Sequence, residues 1–144
     1  MGVRFEWSDA EHVVMYCYIE HPWAWQEYQA TADLMAAQLS AEAHPVATMV
    51  DVSKMKALPK DGSVMQNLQR VESVLPDNVF ASVIVGAPYI VVTFMNVLTK
   101  IKPRAKRINM FANTFEEAHQ MLAKRYDLLY PDQQTENKFA LTKD

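Results

Sequence analysis

Ser63 and Gln66 stand three residues apart in Asp61-Gly62-Ser63-Val64-Met65-Gln66, just ahead of an apolar run with helical spacing. A serine so placed accepts a hydrogen bond from the backbone N–H three residues on. The glutamine can reach back to the serine's own N–H, so the pair predicts a capping box at a helix start. Asp61 then reads as a turn residue rather than a base. Asp51, at the end of an apolar run, reads as a carboxylate that caps the following turn. Ser53 and Lys54 come directly after it. A protein partner that reads this end of the molecule would meet Ser53, Lys54, Asp61, Ser63 and Gln66.

Other residues with chemical potential are scattered. No pair among His12, His21, His44 and His119 has the spacing of a zinc helix, and no cysteine cluster stands beside them. His21 and His44 each precede a proline and read as turn residues. Cys17 is the one cysteine and sits inside an apolar run, where a thiol is more often an inert small hydrophobe than the partner of a catalytic histidine. There is no Walker motif, no GxGxxG and no GxSxG, and three glycines are too few for a usual phosphate-cradling loop. No cofactor, no metal and no enzymatic activity are expected. Lys100, Lys102, Arg104, Lys106 and Arg107 form a basic segment, most simply a solvated face that follows a helix C-terminus; an anionic partner is the lesser alternative. The nine methionines are expected to pack in the core rather than form an adaptable binding surface, and Trp23, Trp25 and Tyr28 to pack there as well, with the lining of an apolar cavity as the lesser alternative.

A net charge of −3 over 144 residues argues against general nucleic-acid binding, which needs a basic surface. The length suits one domain, residues 1–130, followed by a polar tail, residues 131–144. The longest apolar run, Tyr89 to Val97, is too short to cross a bilayer as a helix, and a cytoplasmic protein is expected.

The elements that must position these residues follow from periodicity. Val3 to Trp7 alternates like a half-buried strand, and His12 to Ile19 is rich in β-branched and aromatic residues, so the two predict an antiparallel hairpin. Pro22 suits the first turn of a helix running to about Ala43, with Trp25, Tyr28, Ala32, Met35 and Leu39 on its buried face and Gln29 and Asp33 in water. Val46 to Val52 and Val79 to Val85 are nearly continuous apolar runs, as central parallel strands require. Between them lie a loop, Ser53 to Gly62, and a helix with the stripe Val64, Leu68, Val71 and Leu75. Pro88 opens a helix from Tyr89 to Ile101 with the stripe Ile90, Phe94, Val97 and Ile101. Lys106 to Phe111 predicts a last strand. Thr114 and Glu117 form a second capping box, ahead of a helix faced by Phe115, Ala118, Leu122, Tyr126 and Leu129. The sum is an α/β domain with a mixed, mostly parallel sheet of about five strands, about four flanking helices and an N-terminal β-hairpin. Ligand sites in such sheets often lie beyond the carboxyl ends of strands, where Asp51 to Gly62 runs.

Several short motifs carry a family resemblance. Pro45-Val46 leads into Met49-Val50-Asp51-Val52-Ser53, Trp23-Ala24-Trp25 opens the first helix, and Asp61-Gly62-Ser63 precedes the second. With the element order over residues 3–129, these resemble STAS domains, above all the stand-alone SpoIIAA-like (STAS/SEC14-type) bacterial branch. The resemblance implies a non-enzymatic regulatory module whose partner is a kinase or an anti-sigma-type regulator, and phosphorylation at the position of Ser63. Negative charge there is compatible with a helix N-terminus. This chain departs from the family pattern at Gly62 and Val64. The competing expectation is a binder of a small apolar ligand or lipid at the apolar helix 89–101, using Trp25, Val91, Phe94, Met95 and Leu98 and a cavity bordered by Phe94, Val97 and Trp25. The same helix could instead form a homodimer interface.

Overall fold

The computed structural model describes residues 2–132 and Phe139. Five strands and five helices follow in the order β1 (Val3–Trp7), β2 (Val14–Glu20), α1 (Trp25–Ser40), β3 (Val46–Lys54), α2 (Val64–Val74), β4 (Val79–Val85), α3 (Tyr89–Ile101), α4 (Pro103–Ile108), β5 (Asn109–Ala112) and α5 (Phe115–Leu129). The fold is the expected α/β type with a mixed, mostly parallel sheet. β1 and β2 form the antiparallel hairpin, and every later pairing is parallel.

The strands lie side by side in chain order, β1-β2-β3-β4-β5. Crossovers of one hand that always step the same way place their helices on the same face of the sheet. Accordingly α1, α3 and α4 bury Met35, Leu39, Val91, Met95, Leu98 and Ala105 against Cys17, Ile19, Val46, Val52 and Ile84, and Leu68 of α2 joins them. α5 covers the opposite face, where Ala118 and Leu122 meet Val14, Ala47, Met49, Val83 and Ala112. Because the strand order never reverses, no crevice of the doubly wound kind opens at the strand ends.

Several boundaries differ from the sequence reading. Pro22 does not open a helix; the His21–Pro22 peptide is cis and α1 begins three residues later, at Trp25. β3 runs on to Lys54, so Ser53 and Lys54 belong to the strand and not to the loop. Residues 103–108 form a short additional helix, α4, which takes the first part of the strand expected at Lys106 to Phe111. Pro103 provides a favourable first helical position, and Lys106 and Arg107 suit the last turn. β5 is thereby confined to Asn109–Ala112. Within the expected polar tail, Phe139 is buried against Phe80 and Tyr126, with ring centroids 4.9 and 4.8 Å apart. The rest of that tail beyond Asp132, Leu141 included, lies outside the described residues.

Candidate functional site: an apolar cavity beneath α2

α2 carries the stripe that its sequence predicts, yet its apolar residues are only half-buried; Glu72 is its one buried residue. Val64, Leu68, Val71, Val74 and Leu75 face a partly open cavity of about 100 Å³. Val50, Val52 and Ile84 of the sheet form its floor, Trp25, Tyr28 and Met35 of α1 one wall, and Val91, Phe94, Met95 and Leu98 of α3 the other. Close packing is the rule in protein interiors. Here three neighbouring helices share one sheet face, and the middle one does not fill the space below it.

The seam between α1 and α2 is polar. Arg70 forms a two-pronged ion pair with Asp33, at 3.1 Å on each prong, and Nη1 also donates to Gln29 Oε1 at 2.9 Å. Gln29 Nε2 donates in turn to the Asn67 carbonyl and side-chain oxygens at 3.0 and 2.9 Å. Gln29 and Asp33, expected simply to meet water, thus tie the roof of the cavity to its wall. An exposed pair of this kind holds geometry more than it adds stability.

Trp23 and Trp25 anchor the loop that leads into α2. Their indole N–H groups donate to the Met55 and Pro59 carbonyls, each at 3.3 Å. Trp23, Trp25 and Tyr28 pack edge-on and stacked, with centroids 5.0 to 6.3 Å apart, and all three line the cavity. Trp25 is at the same time buried in the core, and Trp23 and Tyr28 pack against it, so the expected core packing and the cavity lining go together.

The cavity's polar groups are few and concentrated. Thr48, Ser82 and Asn109 occupy one row across β3, β4 and β5, and all three line the cavity. Thr48 Oγ1 donates to Ser82 Oγ at 2.6 Å. Glu72 reaches the same end from α2, with only 6% of its surface exposed. Its Oε1 meets no hydrogen-bond donor at bonding geometry among the described residues, although Arg104 Nε stands 3.8 Å away. Arg104 is also committed elsewhere, since Nη2 donates to the Leu75 and Pro76 carbonyls at 2.7 and 2.9 Å. Burial pushes the Glu72 carboxyl up from its ordinary range, against the opposing pull of Arg104, the Asn109 side chain and Lys102. Cys17 also lines the cavity, and burial raises its thiol to about 12. It is the inert thiol that its apolar run predicted.

The residues singled out from sequence separate into two groups. Trp25, Val91, Phe94, Met95 and Leu98 all line the cavity. They face the cavity rather than the outer side of α3. Val97 is 41% exposed and does not border the cavity, contrary to expectation. Of the predicted stripe Ile90, Phe94, Val97 and Ile101, only Phe94 turns inward; the other three lie on the outer side of α3. Ser53, Lys54, Asp61, Ser63 and Gln66 are all exposed and none lines the cavity. Ser53 N–H and Oγ both donate to Asp51 Oδ1, at 2.9 and 2.7 Å, which is the turn-capping role expected of Asp51. Gln66 N–H donates to Ser63 Oγ at 3.2 Å, while no return bond from the Gln66 side chain forms among the described residues. The forward half of the capping box is therefore present and the reverse half is not.

The basic segment is broken up by α4: Arg104 turns inward, while Lys100, Lys102, Lys106 and Arg107 are exposed. Among the described residues no group of three His, Cys, Asp or Glu side chains could hold a metal ion, and no helix is long and apolar enough to cross a membrane. Thr48, Ser82, Glu72 and Asn109 were missed in the sequence. The available signal was a polar residue within each of two apolar strands, and its meaning depends on the strands lying in register.

Comparison with known proteins finds no matching family model, no matching curated protein and no matching solved structure.

Proposed function

We propose that this chain binds a small apolar molecule in the cavity between the sheet and α1, α2 and α3. The observation that supports this reading is the face of α2: five aliphatic side chains point into a space that they do not fill. A helix of that apolar character ordinarily closes onto the sheet, and a concave, mostly apolar site with a few convergent polar groups is the usual form of a small-molecule site. A dry apolar cavity of about 150 Å³ is enough to bind benzene, and the cavity here is of similar order.

Native mass spectrometry of protein purified from its own cells, together with thermal melts in toluene, tests this reading. A retained small molecule, or a melting temperature raised by toluene, is the expected result. Protein that carries nothing and whose melt and tryptophan emission toluene leaves unmoved would overturn it.

A second reading follows the STAS resemblance and makes the start of α2 a docking surface for a regulatory protein, switched by phosphate on Ser63. The observation in its favour is that Ser53, Lys54, Asp61, Ser63 and Gln66 are all exposed. Phosphopeptide mapping and partner capture with Ser63→Glu and Ser63→Ala test it; equal capture by both variants, with no phosphate found, counts against it.

A further inference from the structure

The geometry points to the outer side of α3 as a surface that docks on an anionic lipid bilayer. This surface is independent of the cavity, which lies on the other side of the same helix. Among the described residues seven large hydrophobic side chains are exposed, and four of them, Tyr89, Ile90, Val97 and Ile101, belong to α3. Tyr89 is 85% exposed. With 3.6 residues to a turn, these four fall within about one third of the helix circumference, and Thr93 and Lys100 fall in the same arc. The Thr93 hydroxyl donates back to the Tyr89 carbonyl at 3.0 Å, so it adds little polarity to this side.

The charges around this side have one sign. Residues 78–115 hold five cations and no acidic residue, in a chain whose net charge is −3. Arg104 is engaged with Glu72 and with backbone carbonyls. Lys100, Lys102, Lys106 and Arg107 are exposed at the C-terminal end of α3 and along α4, and none of them is in a salt bridge among the described residues. Helix C-termini favour cations at such positions, but that does not explain why they adjoin an exposed apolar side with no acid near it in the chain. An anionic bilayer complements both features. Aliphatic side chains enter the acyl boundary, a tyrosine ring sits at headgroup level, and lysines meet the phosphates. A second copy of the chain would bring the same cations to the contact and no acid from this segment to neutralise them.

Co-sedimentation of the full chain with vesicles tests this, comparing pure phosphatidylcholine with phosphatidylcholine containing about 30% phosphatidylserine. Partition should be at least about tenfold stronger on the anionic vesicles and should weaken as salt is raised to about 0.5 M. Lys100→Gln/Lys106→Gln should lower it at least about tenfold, since each surface cation is worth about fivefold. Ile90→Ser/Ile101→Ser, which changes no charge, should also lower it at least about tenfold by removing the apolar contact. Binding to neither vesicle, or equal binding to both, would overturn the proposal. So would anionic binding that the serine variant leaves intact, since charge alone would then account for it. Sedimentation velocity without vesicles provides the other arm: a dimer that the serine variant dissociates would assign this face to a second copy instead. The lysine variant alters only exposed side chains and keeps the test decisive even if the serine variant does not fold.

Discussion

Thr48 and Ser82 share a 2.6 Å hydrogen bond in the floor of the cavity, on adjacent residues of the two central strands. Both are almost completely buried. The bond therefore has little competition from water, and its loss exposes the asymmetry between a satisfied pair and a widowed partner. Thr48→Val should cost about 1–3 kcal/mol by leaving the Ser82 hydroxyl without its donor. The double variant Thr48→Val/Ser82→Ala should cost less than the sum of the two singles, with a coupling of about 1 kcal/mol in a urea-denaturation cycle. Simple additivity would mean that the two hydroxyls do not depend on each other.

Glu72 gives the molecule a pH dependence of definite sign. Its carboxyl keeps its proton to higher pH in the folded chain than in the unfolded one, chiefly because it is buried. Between the ordinary glutamate value and that raised one, the folded state binds more protons, so stability falls as pH rises through the window. Glu72→Gln cannot titrate and escapes this fall. The urea midpoint of the wild type relative to that of Glu72→Gln should fall as the pH rises above the ordinary glutamate value and level off once the folded carboxyl is ionised. A shift in the opposite direction would show that Arg104 outweighs burial.

Ser63 can be tested for its local role independently of any partner. Ser63→Ala removes the oxygen that caps Gln66 N–H and should cost about 0.5–2 kcal/mol. Ser63→Asp should stay within a few tenths of a kcal/mol of the wild type, because aspartate caps equally well and the helix N-terminus favours its charge. Thermal or urea denaturation reads both. An unchanged Ser63→Ala protein would mean that the cap contributes nothing.

Cys17 is a reporter placed in the cavity wall. At about pH 8, a thiol whose value is raised to about 12 holds roughly 10³-fold less thiolate than a free cysteine. Its reaction with an aromatic disulfide reagent should be slower by a comparable factor in the folded protein and normal in denaturant. If the reagent arrives through the cavity, saturating toluene slows it further. Rapid labelling of the native protein would contradict the burial of Cys17.

Element types were legible in the sequence where one pattern dominated. The apolar runs at 46–52 and 79–85 could only be covered strands, and the Thr114–Glu117 cap marked the start of α5. Glu117 reaches one residue farther than expected, accepting from Asn113 N–H at 3.2 Å. α3 shows where periodicity stops being informative. It is apolar almost all round, so a stripe through Ile90, Val97 and Ile101 fitted a helix as well as the buried set Val91, Met95 and Leu98, and it named the outer side. The stripe of α2 was plain, but a stripe reports that a face avoids water and not whether the opposite surface fills it. Glu72 was hidden for a related reason: a glutamate in an exposed-looking helical position becomes a buried acceptor only once Asn109 and Arg104 are brought beside it by later crossovers.

If the cavity takes up the small apolar molecule proposed for it, the unreversed strand order has a consequence for the stability of the molecule. One face of the sheet is sealed by α5, whereas α2 on the other is tethered to α1 by an exposed polar network above an incompletely packed interior. A molecule that fills that interior binds the folded chain alone, and so adds to its stability in proportion to the logarithm of its own concentration. Empty copies would unfold more often and be removed sooner by proteolysis. The abundance of this protein in a cell would then track the supply of whatever it binds, without any switch acting on its surface.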